Sequence, residues 1–245
     1  MELGNGRSSG PGGSRETGVR GWYWRRCGTH VCALLFTGGV TACLPPRALP
    51  LPGVLTTTKG LPPHMAELPT GYHRIRFRWQ YRSAQYSANG DGAARIAFPD
   101  TARLDFVVSG PLGGSGYALL FDDTLVAPGG KGMKRYLPPT PFVWATLGRL
   151  VVPAGRDTVV RVEGDTVRAD IGPAEPDTGT VWRASFAGGE LTGLARLSGG
   201  RVRGWVVRDV EKGRIRYDDG SHRSLTLTQV RSEAVPPFDP SVWHR

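Results

Sequence analysis

Arg74-Ile75-Arg76-Phe77-Arg78-Trp79-Gln80-Tyr81-Arg82 is the stretch that decides the fold. Ile75, Phe77, Trp79 and Tyr81 recur at every second position, and four arginines and a glutamine fill the gaps. A period of two sends neighbouring side chains to opposite faces of an extended chain, so this is a strand with one apolar and one basic face. The same alternation returns in Leu104, Phe106 and Val108 and in Tyr117, Leu119 and Phe121. Val160 and Val162 lead through Gly164-Asp165 into Val167, Ala169 and Ile171, and Trp182, Ala184 and Phe186 lead through Gly188-Gly189 towards Leu191 and Leu194. Val202 to Val207, Ile215 with Tyr217, and Leu225 with Leu227 complete the series, with Asp219-Gly220 as a hairpin signal before the last of them.

About ten or eleven short strands at meander spacing predict a mainly β protein built on a single antiparallel sheet, large enough to curl. One helix interrupts them. Thr140 can cap it, Pro141 suits its first position, and Phe142, Val143, Trp144, Ala145 and Leu147 fill it up to Gly148. Tyr136 to Gly148 contains no charge, so a helix over 141–147 is apolar nearly all round and must be buried on most sides. One short helix cannot cover ten strands, and a closed barrel would leave it as a plug or as outside decoration. The simplest arrangement is an open, strongly curved half-barrel that wraps the helix and keeps an apolar concavity, a shape suited to acyl chains.

Further towards the N-terminus, Val40-Thr41-Ala42-Cys43 closes a short apolar run that begins at Val31. Small residues ahead of a cysteine, a run too short to span a bilayer, and the paired Arg25-Arg26 before it resemble a bacterial lipoprotein signal. This reading divides the chain into a signal peptide (1–42), a proline-rich tether (43–70), the half-barrel domain (71–235) and a C-terminal tail (236–245). Cys43 becomes the lipidated residue, carrying diacylglycerol and a further acyl chain such as palmitate. Cys27 and Cys32 fall in the signal, which leaves the mature chain without disulfide or cysteine metal chemistry. The whole chain carries a formal charge of +10; removing the five arginines and two glutamates before Cys43 leaves about +7, which favours anionic partners. Pro45, Pro46, Pro50, Pro52, Pro62, Pro63 and Pro69 make 44–69 an extended, stiffened segment.

Four later stretches resemble, in order, the LolA/LolB family of lipoprotein carriers and receptors. They are Arg76 to Gln80, Arg103 to Gly113 with its Pro111-Leu112-Gly113 loop, Leu137 to Leu147, and Gly179 to Phe186. The resemblance spans roughly 72 to 231 and implies an incomplete curved barrel with a helical lid, working between the membranes of a two-membrane envelope. It also implies that Leu112 is the protruding loop leucine that helps place a lipoprotein into the outer membrane. A lipidated Cys43 favours the anchored, LolB-type branch over the soluble carrier, and Leu44 at the next position favours outer-membrane sorting. No lid arginine and no extra C-terminal element of the family can be aligned.

The candidate cavity and lid residues are Phe77, Trp79, Phe106 and Phe121 from the first half of the sheet, Phe142, Trp144 and Leu147 from the lid, and Trp182 and Phe186 from the second half. Aromatic stripes in strands also serve as plain core. The implied partners are acyl chains of lipoproteins or lipids, the outer membrane itself and a soluble periplasmic carrier protein. No cofactor, metal or nucleic acid is expected. His64, His73, His222 and His244 are scattered; Asp218, Asp219 and His222 crowd one turn, but a solvated turn has the same composition. Gly113-Gly114-Ser115-Gly116 lacks the pattern of a nucleophile elbow, so a hydrolytic reading has no constellation behind it and no enzyme is expected. The arginines and aromatics of the deciding strand lie on opposite faces, where a base could not stack beside its bound phosphate. The alternative is an assembly lipoprotein that uses the same sheet as a protein-docking surface and fills its concavity with side chains.

Overall fold

The computed structural model describes residues 47–57, 70–110, 113–128, 136–153, 157–172 and 179–244, all within the unit Cys43–Arg245. The first strands are β1 (Val54–Thr57), β2 (Gly71–Arg82), β3 (Ser87–Phe98), β4 (Thr101–Val108), β5 (Ser115–Phe121) and β6 (Thr124–Val126). A helix, α1 (Thr140–Thr146), then separates them from β7 (Asp157–Glu163), β8 (Thr166–Gly172), β9 (Thr180–Ala187) and β10 (Glu190–Ser198). The series ends with β11 (Arg201–Asp209), β12 (Arg214–Asp218), β13 (Ser224–Val235) and a 3₁₀ turn, Pro240–Trp243.

All thirteen strands form one antiparallel sheet in the order β1-β7-β8-β9-β10-β11-β12-β13-β2-β3-β4-β5-β6. Consecutive hairpins generate most of this order; β1 pairs with the distant β7, and β13 returns to pair with β2 along nearly its whole length. Among the described residues β1 and β6 are the two edges and do not pair, so the barrel is open. The connection between these distant parts of the sheet carries α1, and the helix packs over β10, β11 and β12. The open half-barrel with one helix is the expected architecture.

The deciding strand is β2, with Phe77, Trp79 and Tyr81 buried and Arg76, Arg78 and Arg82 exposed. Three strands were not legible as alternation: β1, β3 and β6. β3 has few large side chains because large rings from its neighbour lie across it. A Cβ on Gly92 would come within 2.4 Å of the Phe77 ring, and one on Gly90 within 3.0 Å of the Trp79 ring. Glycine here makes room for aromatic side chains of the same face.

The helix begins one residue earlier than the sequence predicts. Pro139, not Thr140, occupies the cap position, and its carbonyl accepts from Phe142 N at 2.9 Å and Val143 N at 3.1 Å. Gly148 ends it with φ +92°, a left-handed conformation that glycine adopts without strain. Phe142 to Thr146 are all buried, and Trp144 is fully so. Phe142 sits edge-on to Trp182 and near Tyr217, each at 5.3 Å, over a gap that Gly204 of β11 leaves open.

The described part of the proline-rich segment, 47–57, lies on the sheet. Arg47 bridges Arg201, Ala48 N donates to Gly200 O at 2.8 Å, Leu51 is buried, and β1 pairs with β7. Prolines lack N–H groups but keep carbonyls, and neighbouring residues' carbonyls are free as well. Arg183 donates to Leu49 O at 2.6 Å and Arg161 to Gly53 O at 2.9 Å. The C-terminal segment is likewise held: Phe238 packs edge-on against Tyr72 and Trp243, and Arg103 donates to Val242 O at 3.0 Å.

The β12–β13 turn is organised by Asp219. Its carboxylate accepts N–H bonds from Ser221, His222 and Arg223 at 3.0–3.1 Å, the Ser221 hydroxyl at 2.8 Å and the Arg223 guanidinium. Burial alone would raise its pKa, but these bonds outweigh it and hold the carboxyl at about 2, against 3.8 when unperturbed. The depressed value means that the stabilisation is present above about pH 4 and is lost as pH falls through 2. Asp219→Asn is expected to lower stability by about 1–2 kcal/mol at neutral pH, allowing for screening at a surface turn, and by much less near pH 2. Denaturant titrations at both pH values check this. An equal loss at both would assign the effect to geometry and not to charge.

Candidate functional site

The inward faces of the strands and α1 together enclose the apolar concavity. Two cavities remain inside it, one near each end of the inward row of β2. Ile75 borders the first, Trp79 and Tyr81 border the second, and Phe77 lies between them. The helix therefore fills the middle of the concavity and leaves both ends unfilled.

The second cavity has a volume of about 350 Å³ and no charged side chain on its wall. Trp79 and Phe106 meet edge-on at 6.1 Å on one side, and Tyr81, Tyr86 and Tyr136 form an aromatic cluster on another, with Tyr81 and Tyr136 at 5.3 Å. Trp79 satisfies its only donor by giving Nε1–H to Asp91 O at 3.1 Å, so its ring can present pure hydrocarbon to the cavity. Val108, Ser115 and Gly116 form part of the rim. Beside it Val108 N donates to Gly114 O and Gly113 N to Gly110 O, at 2.8 and 2.9 Å.

The first cavity, about 380 Å³, is bordered by the residues that follow α1, Leu147 to Leu150, and by parts of β2, β3, β11 and β12. Its wall is apolar at Ile75, Ile96, Phe98, Phe186 and Ile215 and carries four charged side chains, Arg149, Arg208, Glu190 and Asp209. Arg149 is 7% exposed; its guanidinium stacks on Trp144 at 4.5 Å and reaches Asp122 at 3.8 Å. Arg208 donates from Nη1 to Leu191 O at 2.6 Å, and Gly148 gives its guanidinium room to lie flat: a Cβ there would be 3.1–3.2 Å from it. Burial lowers the pKa of both, opposed by Asp122 for Arg149 and by Glu190 for Arg208.

The structure distributes the sequence-predicted residues over several environments. Trp79 and Phe106 line the second cavity, and Leu147 and Phe186 the first. Phe77, Phe142, Trp144 and Trp182 are core, packed against helix or sheet. Phe121 does not join them: it is 37% exposed at the end of β5, because Leu120 beside it takes the inward position. Leu112 and Cys43 lie outside the described residues. Sequence reasoning missed the tyrosines of the second cavity and both arginines. Arg208 had a signal in its parity, since it follows Gly204 and Val206 on the inward row of β11. Asp219, read as part of a solvated turn, is fully engaged with that turn. Among the described residues no group of three metal-ligating side chains converges, and no helix is long and apolar enough to cross a membrane.

No family model matches the chain, and no curated protein does. Solved structures with a similar course include a DUF1329 family protein from Desulfovibrio piger, at 7% identity and a TM-score of 0.46, covering 71% of this chain and 90% of that one. A LolA superfamily protein from Nitrosomonas europaea superposes at 8% identity and a TM-score of 0.44, covering 74% and 94%. A domain assigned to outer membrane lipoprotein sorting from Vibrio parahaemolyticus does so at 8% identity and 0.37, covering 71% and 89%.

Proposed function

We propose that this protein is a lipid-anchored carrier or receptor of the outer membrane, facing the periplasm, that takes the acyl chains of lipoproteins or lipids into the concavity of its open sheet. The observation that carries the reading is the second cavity, about 350 Å³ of uncharged, largely aromatic wall left unfilled beside a buried helix. A pocket of that size and lining falls in the range of ligand sites and has no role in a domain that only needs a core. The docking alternative expects the concavity to be filled by side chains, so the same cavity argues against it. Cys43 supplies the anchor in this reading. Leu112, which falls in sequence between Val108 and Ser115 of the cavity rim, supplies the apolar contact with the acceptor membrane.

The direct test is binding of a triacylated lipopeptide to the purified full-length protein, followed by displacement of a polarity-sensitive acyl probe. Ala88 is half-buried on the wall of the second cavity. Ala88→Trp is expected to fill it and weaken lipopeptide binding at least tenfold, at a stability cost of about 1–3 kcal/mol. Undiminished binding would move the site elsewhere, and a wild-type protein that binds no acyl chain would sink the carrier reading. Cys43→Ser should release the protein from the membrane fraction, since two or three acyl chains at about 0.8 kcal/mol per buried methylene hold a protein firmly. Unchanged fractionation and precursor mass would remove the anchor.

A further inference from the structure

The first cavity differs from the second in one respect that an acyl-chain site does not require: it contains buried positive charge. Arginine stays protonated in proteins, and an unpaired charge inside a protein is costly unless a counter-ion approaches. Among the described residues Arg208 forms no ion pair, and its Nε is buried without a hydrogen-bond partner. Arg149 has Nε and Nη1 buried and unpartnered, with Asp122 touching only Nη2 at 3.8 Å. Two acids, Asp209 and Glu190, also lie on the cavity wall, and Glu190 offsets part of the desolvation of Arg208 through its field without forming an ion pair with it. Asp209 is committed to its turn, accepting from Lys212 N and Nζ at 3.1 Å each, and Glu190 is exposed. Arg208 is nonetheless held in a fixed pose, flat against Gly148 and tied to the Leu191 carbonyl. An immobilised guanidinium without an ion-pair partner among the described residues, at the wall of an open cavity that also presents Ile75, Ile96, Phe98 and Phe186, is an arrangement that recognises a carboxylate or phosphate carried on a hydrocarbon chain.

We infer that the first cavity binds a single-chain amphiphile with an anionic headgroup, Arg208 pairing with the head, Arg149 adding positive potential, and Ile75, Ile96, Phe98 and Phe186 receiving the chain. The inference builds on the acyl-binding reading and adds the headgroup class. Water-soluble anions are poor candidates, because the apolar wall would stay uncovered. Fatty-acid carboxylates and lysophospholipid phosphates share the required chemistry.

Calorimetric titration of the full-length protein with dodecanoate, dodecyl phosphate and dodecanol at about pH 8, where both acids are ionised, compares three heads on one chain. At least tenfold tighter binding of one or both anions than of dodecanol is expected, and whichever anion leads identifies the headgroup. Arg208→Met should abolish the preference and leave dodecanol binding within twofold. Equal affinities for all three in the wild type, or a preference that survives Arg208→Met, would overturn the assignment. Should that variant not fold, the Arg208 Nε–H resonance of the wild type decides: it should shift with dodecanoate and not with dodecanol, and an unmoved signal overturns the proposal. Lipopeptide binding without anion preference would defeat this inference alone. Anion preference without lipopeptide binding would defeat the lipoprotein-carrier reading and leave this site standing.

Discussion

Trp144→Ala is expected to lower the unfolding free energy by about 4 kcal/mol, the largest single-residue loss in the domain. The indole is fully buried at the centre of α1, so truncation removes its transfer free energy and leaves a cavity that the surrounding sheet cannot close. Two further contacts go with it. Nε1–H donates to the Asp122 carbonyl, and the ring carries the Arg149 guanidinium at 4.5 Å. Removing the ring leaves a buried cation with one distant carboxylate, which adds desolvation cost to the cavity term. Trp144→Phe keeps most of the volume and should cost about half as much. Equilibrium denaturation followed by far-ultraviolet circular dichroism measures both; a loss below about 2 kcal/mol for the alanine variant would mean that α1 is not the keystone of the core.

On the proposed carrier function, the same burial bears on how a ligand would enter. Lifting α1 as a lid would expose the rings of Phe142 and Trp144, each worth 150–250 Å², at roughly 8–12 kcal/mol for the pair. That equals the stability of an ordinary domain, about 5–15 kcal/mol, so wholesale lifting amounts to unfolding. Entry through the two open ends of the concavity leaves the helix in place. A carrier of this build would therefore keep α1 in place and admit its ligand at the ends, near Tyr86 and Tyr136 on one side and near Gly148 and Arg208 on the other.

What the sequence made legible was whatever alternates with large side chains. β2, β4, β9 and β12 announce their inward faces through Phe77, Leu104, Trp182 and Tyr217, and the uncharged run around Trp144 announces a buried helix within a residue of its true start. β3 is silent for a physical reason, since its inward positions include Ala88, Gly90 and Gly92 and the volume above the two glycines is supplied by β2. β1 hides among prolines because an edge strand needs only one side of its ladder. Identity of the cavity walls was harder. Whether an inward aromatic borders a void or another ring depends on packing between residues distant in sequence, which is why Trp79 lines a cavity and Trp182, equally inward, meets Phe142. Arg208 was readable only by counting parity from Val206, because an arginine in a strand otherwise reads as surface.

Gly90→Ala is the second substitution with a large expected effect, and it links the silent strand to the site. A Cβ at Gly90 would lie 1.8 Å from the Val107 carbonyl oxygen of β4 and 3.0 Å from the Trp79 ring. A ring can swing aside, but a carbonyl within a paired strand cannot move without breaking the β3–β4 ladder, which runs from Gly90 and Val108 to Ala97 and Thr101. The strands must separate locally, at a cost of about 3 kcal/mol. Gly114→Ala is the control: its Cβ would meet nothing, and a change below about 0.5 kcal/mol is expected. Gly92→Ala falls between, since the Phe77 ring at 2.4 Å can yield more readily than the Asp105 carbonyl at 2.8 Å. Trp79 and Val108 both border the second cavity, so the variant that pushes β3 from β4 also deforms the wall on which the proposed acyl binding depends. Gly90→Ala should therefore lose lipopeptide affinity even at temperatures where it remains folded, whereas Gly92→Ala should retain more of it. Equal affinities in the two variants, at matched folded fractions, would separate the packing of β3 from the function of the cavity.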